Sequence, residues 1–241
     1  QKNQKLFLIG KYIDSRLAQK LCHIISISGL ILLLIGNWIL TPLGIFIYLL
    51  WGIVYNKPPY EWKKHPLLGI LTNMVIGIIL FLMGWLHVAG SEGLELKLMI
   101  TYMIPYVLCF TAVSLMTNIT DINVDLTGNA KTLSVVFGRR TRTILATLSV
   151  GIAFYLSYNN SDPVASTASI SAIPFFFFAL FRNLDRDILR AIRYPIFLLN
   201  FFEFAIYPWL FLSVFIIYYF SKYYYWHRFD LHYPTFLVEN D

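Results

Sequence analysis

The sequence predicts an all-α integral membrane protein built as a bundle of about seven transmembrane helices. Three observations predict it. Of 241 residues, 58% are hydrophobic and only 13% are charged, with a mean hydropathy of +0.63. Soluble domains carry about 25% charged residues, so a soluble enzyme or a nucleic-acid-binding module is excluded as a class. Apolar runs long enough to span a bilayer follow one another closely. The cations gather in four of the segments between those runs.

In chain order, the apolar runs lie near 21–38, 40–55, 67–88, 97–118, 142–157, 164–181 and 195–220. Thr41-Pro42 separates the first two. Pro208 interrupts the last, which reads as either one kinked helix or two shorter ones. No linker of Ser, Gly or charge divides the chain, so residues 1–241 read as a single domain. Cys22 and Cys109 sit in apolar runs without metal or redox spacing, and read as small buried hydrophobes.

Sixteen of the nineteen Lys and Arg fall in 1–20, 56–66, 119–142 and 182–194. Seven spans put all four segments on one side, which the positive-inside rule makes cytoplasmic. The opposite side holds Lys97, Lys222 and Arg228 beside Glu92, Glu95, Asp162 and the acidic tail. The net charge of +6 therefore forms a basic rim, suited to lipid headgroups or an anionic substrate.

Acidic residues lie inside that rim. In NITDINVDLTGNAKTLSVVFGRR, Asn118, Asp121 and Asp125 are spaced i, i+3, i+7, so a continuing helix would place them on one face. A helix C-terminus carries partial negative charge, a poor place for two carboxylates without a cation. Mg²⁺ suits them, because it takes oxygen ligands and is commonly held by one or two carboxylates plus substrate phosphates. Lys131, Arg139 and Arg140 would oppose a bare metal but favour a metal–phosphate complex. The alternative is a pair of loop carboxylates balancing nearby cations. On the same face, YNKPPYEWKKHP offers Tyr55 at a span end, a stiff Pro58-Pro59 loop, and Lys63 and Lys64 leading into the next span.

Together these two segments carry a resemblance. YNKPPYEWKKHPLLG resembles the Y-S-x-P-P-x-x-x-K-R-x-P loop of the UbiA superfamily of intramembrane prenyltransferases. NITDINVDLTGNAKTLSVVFG resembles that superfamily's second Asp-rich motif, D-x-x-D-x-x-x-D followed by G-x-x-T-L-x-V-x-x-G. Asp121 and Asp125 take the last two acidic positions and Asn118 stands at the first. Gly128 comes one residue early, and Gly138 fits the end of the motif.

The resemblance implies nine helices around a cavity open to the cytoplasmic face and to lipid. It also implies an earlier Asp-rich motif that these residues do not contain. NQKLFLIGKYI, 3–13, is similar to the loop after that motif, so the chain reads as lacking two N-terminal helices and, alone, as inactive or nearly so. The implied reaction is Mg²⁺-dependent transfer of a prenyl group from a polyprenyl diphosphate to an aromatic or other lipophilic acceptor. The implied metal site is Asp121, Asp125 and Asn118. Lys63, Lys64, Tyr55, Lys131 and Arg139 are the diphosphate candidates, with Tyr55 and Lys63 also catalytic. Asn73 is a candidate for the cavity wall.

Glu203 is an acid within an apolar run and so a candidate in its own right. FFFF, 175–178, and KYYYWHRF, 222–229, read as lipid contacts and an aromatic belt. The rival readings are a transporter with an acidic cytoplasmic mouth, which would want more charge across the bilayer, and a non-catalytic binding or scaffold homologue.

Overall fold

The computed structural model describes residues 14–90, 95–117, 119, 122 and 133–230, with Leu133 and Ser134 described only as backbone. Among them every regular element is helical. In chain order these are α1 (Ser15–Gly36), α2 (Thr41–Ile47) with its π-helical continuation Tyr48–Val54, α3 (Pro66–Ala89), α4 (Leu96–Thr117), α5 (Leu133–Asn159), α6 (Pro163–Arg182), α7 (Asp185–Ile206) and α8 (Pro208–Phe229). Short 3₁₀ turns at Trp38–Leu40 and Trp62–Lys64 lead into α2 and α3.

Four helices, α1, α3, α4 and α6, are each long and apolar enough to cross a membrane. The stretch Trp38–Val54 is apolar but shorter. The helices α5 and α7 start before the expected runs, because charged residues fill the turn after the Gly138 kink in α5 and the first turn of α7. Arg139, Arg140 and Arg142 lie in α5, and Asp185, Arg186 and Asp187 open α7. Hydropathy sees those turns as loop, whereas the backbone is already helical. The last expected run divides into two helices: Tyr207 leaves helical geometry (φ −122°, ψ 77°) and Pro208 starts α8. Proline suits a first helical turn, where its missing N–H costs nothing.

Local chemistry sets the ends. The Asp162 side chain accepts from the N–H groups of Val164 (3.1 Å) and Ala165 (3.0 Å), capping α6. Asn183 closes the same helix in the left-handed region (φ 52°). Within the helices, hydroxyls return to the carbonyl four residues back, as at Thr72 (2.7 Å) and Thr111 (2.7 Å). Such bonds let polar side chains sit where no water reaches.

The core lies between α4, α5, α6 and α7. Ala112, Ala146, Ala172, Ala179 and Ala191 let these helices approach closely around Met116, Val150, Phe176 and Ile188. Ile119 is buried in this cluster and Ile122 packs against it. Phe176 is fully buried, so the FFFF run is not wholly a lipid contact: only Phe177 and Phe178 are exposed. Helix α1 buries none of its residues, and Cys22 on it is exposed rather than a core residue. His23 Nδ1 and the Tyr48 hydroxyl share a 3.0 Å hydrogen bond that ties α1 to the π stretch.

Candidate active site

A cavity of about 610 Å³ opens among α3, α4, α6 and α7, next to the end of the π stretch. One face of α4, from Tyr106 to Thr117, runs along it for about 16 Å at 1.5 Å per residue. On α6 the facing row is Ala165, Ala168, Ser169 and Ala172, which leaves room because the side chains are short. Phe81, Phe110 and Leu199 make most of the remaining wall apolar.

Polar groups mark four levels. At one end stand Tyr55 and Thr117. Midway, Asn73 Nδ2 donates to Ser114 Oγ across 2.8 Å, linking α3 to α4 and leaving Asn73 Oδ1 as an acceptor in the lining. Deeper, Cys109 Sγ and Ser169 Oγ stand 3.4 Å apart. At the far end the Tyr106 ring lies 5.7 Å from Phe81, and its hydroxyl donates to Asp162 Oδ1 at 3.4 Å. Glu203 sits half-buried on α7, four residues before the break at Tyr207.

The π turn delivers Tyr55 to the cavity. Tyr55 N–H donates to the Leu50 carbonyl (2.8 Å), and the Asn56 amide donates to the Trp51 carbonyl (2.8 Å). Lys63 is then held beside Tyr55 by two bonds. Its backbone N–H donates to the Tyr55 carbonyl (3.3 Å), and its ammonium donates to Asn56 Oδ1 (3.5 Å). Lys64 instead pairs with Glu61 (2.8 Å).

Arg139 stands outside the cavity lining. It pairs with Asp185 and donates to the Asn183 carbonyl (2.7 Å), clasping α5 to the α6–α7 turn. A companion cluster reinforces the same turn: buried Asp187 forms an ion pair with Arg182 (3.2 Å) and accepts a hydrogen bond from Arg190 (3.2 Å). Asn118, Asp121, Asp125 and Lys131 lie outside the described residues, which themselves contain no group of three or more metal-ligating side chains. In sequence, Asn118 directly follows Thr117, which lines the cavity; of the residues after it, Ile119 is buried in the core and Ile122 packs against it.

Residues 8–202 match the model of the UbiA prenyltransferase family. This chain belongs to that family. The match includes both motif segments and every residue of the cavity wall, and it ends within α7, before α8. The chain matches no curated protein sequence and no solved structure. Membership gives prenyl transfer as the general activity, and the cavity gives this UbiA-family chain an apolar chamber of suitable kind. Of the residues singled out from sequence, Tyr55 and Asn73 line this cavity and Lys63 lies beside Tyr55. The sequence did not point to the polar lining residues Ser114, Ser169 and Tyr106, because hydroxyls scattered through apolar helices carry no spacing signal.

Proposed function

We propose that the protein transfers a prenyl group from a polyprenyl diphosphate to an aromatic or other lipophilic acceptor within the membrane, in a Mg²⁺-dependent reaction. The observation that carries this reading is the 610 Å³ apolar cavity with Tyr55, bonded to Lys63, and Thr117, the residue before Asn118 in sequence, at its polar end. Asn118, Asp121 and Asp125 offer only oxygen donors and amide groups, a set that fits Mg²⁺ rather than a thiolate- or imidazole-binding metal. Mg²⁺ held by Asp121 and Asp125, with Asn118 beside them, would neutralise the diphosphate as a Lewis acid.

The chain's own side chains do the rest. The Lys63 ammonium and the Tyr55 hydroxyl donate hydrogen bonds to phosphate oxygens, strengthening as negative charge builds on the leaving group. Lys131 is a further cation for the diphosphate, while Lys64 and Arg139 are already engaged by carboxylates. The C–O bond to the prenyl carbon breaks, and its electron pair leaves with the diphosphate. Aromatic faces such as Trp51 and Phe110 stabilise the allylic cation. The acceptor forms the new bond to that carbon and loses a proton. Asn73 Oδ1 accepts a hydrogen bond from the acceptor, and the apolar walls keep water from quenching the cation.

The apolar helices support a protein that crosses the membrane several times, and the clustering of cations favours a cytoplasmic active face. The test uses membranes holding the protein expressed from its own start codon. Diphosphate release from geranylgeranyl and longer diphosphates is measured over a panel of acceptors, with Mg²⁺ and with EDTA. Turnover that needs Mg²⁺ and falls at least a hundredfold in Asp121→Ala supports the reading. A well-folded protein that releases no diphosphate with any pair overturns it.

A further inference from the structure

A second cavity, of about 350 Å³, lies between α5 and the C-terminal end of α6 and shares no residue with the first. Its walls are Ile144 of α5 with Leu180 and Phe181 of α6, and its rim holds Arg140 and Asn183. Phe181 is 78% exposed and stacks on Phe177 with centroids 5.9 Å apart, so the apolar wall faces outward from the bundle. In a membrane that surface meets acyl chains.

The charges around this crevice are mostly spoken for. Arg139 is held by Asp185 and the Asn183 carbonyl, and Arg182 and Arg190 are held by Asp187. Arg140 differs. It is exposed on the crevice rim, and among the described residues it has neither a carboxylate nor a hydrogen-bond acceptor as partner. A guanidinium without a counter-ion above an outward-facing apolar crevice is complementary to a molecule that is anionic at one end and hydrocarbon at the other.

We propose that this crevice binds an anionic phospholipid, with its phosphate on Arg140 and an acyl chain against Ile144, Leu180 and Phe181. A free phosphate would use the cation but not the wall. A zwitterionic lipid would use the wall, but it brings its own cation to its phosphate. The observations therefore favour a lipid with net negative charge. Its place beside the Arg139 clasp would brace the start of α5 without entering the reaction chamber.

Native mass spectrometry of the purified full chain in neutral detergent tests this. Phosphatidylglycerol and phosphatidylcholine with the same acyl chains are added in equal amounts. The wild type should retain phosphatidylglycerol preferentially. Arg140→Ala should cut that retention about fivefold, the contribution of one interfacial cation, and Arg140→Lys should keep most of it. Phe181→Ala, which leaves the charge intact, should also cut retention, and Lys57→Ala, in an exposed loop, should not. Inorganic phosphate should fail to displace the lipid. Wild-type retention in Arg140→Ala, equal retention of the two lipids, or displacement by inorganic phosphate would each overturn the proposal.

Discussion

Two residues show how a side chain's partners decide its effect. The Tyr55 hydroxyl has no hydrogen-bond partner among the described residues, yet its side chain lines the polar end of the cavity. Tyr55→Phe should therefore leave the thermal midpoint unchanged. It should lower kcat/KM for the diphosphate about 10- to 100-fold, the loss of one hydrogen bond to a charged group. Steady-state kinetics beside a melting curve checks both halves. Asp187 is the opposite case, 1% exposed and bridging two arginines. Asp187→Asn leaves Arg182 and Arg190 without their carboxylate, although both reach solvent. The expected cost is about 2 kcal/mol, below the range for a wholly buried pair, read as a lower midpoint in detergent. At this scale the sequence was legible where chemistry carried a pattern, as at Tyr55, Lys63 and Asn73. It was silent on Asp187, since a carboxylate in a charged segment looks the same whether it is buried or solvated.

Elements were legible where hydropathy alone defines them. The membrane-length helices α3, α4 and α6 lie within two residues of the expected runs, because nothing but apolar side chains sets their limits. The charged turns after the Gly138 kink in α5 and at the start of α7 were not legible, since a window average cannot tell a polar helix from a polar loop. Gly138 within α5 has a physical reason that the motif alone did not give. Its φ of 71° and ψ of 170° fall in a region open essentially only to glycine. A Cβ there would meet nothing within 4 Å, so the cost of Gly138→Ala is conformational. It should be about 1–2 kcal/mol. Gly151, in regular helix later in α5 and equally open, should behave oppositely: Gly151→Ala should raise the midpoint or leave it unchanged. Thermal melts of the two variants side by side test the sign.

For the whole molecule, the distribution of charge predicts orientation. In a background with Cys22 and Cys109 replaced by Ala, Lys57→Cys and Leu184→Cys should react with an impermeant thiol reagent only from the cytoplasmic side. Val88→Cys, 88% exposed at the other end of α3, should react only from outside. Labelling of Lys57→Cys and Val88→Cys from one side would undo the orientation argument. The bundle was legible as a class because lipid imposes helices on any spanning chain. The shape of its chamber was not, because the width between α4 and α6 depends on which alanines face each other, and hydropathy cannot rank faces within an apolar helix.

Helix α8 buries none of its residues and begins after the family match ends. A segment that buries nothing and meets α7 through a ring pair, Phe204 on Phe211 at 5.6 Å, is modular. Its order of residues matters less than its length and greasiness, so it can drift, be exchanged for an unrelated apolar helix, or accept a fused reporter while the chamber behind it stays as it is. Engineering of this chain should begin there.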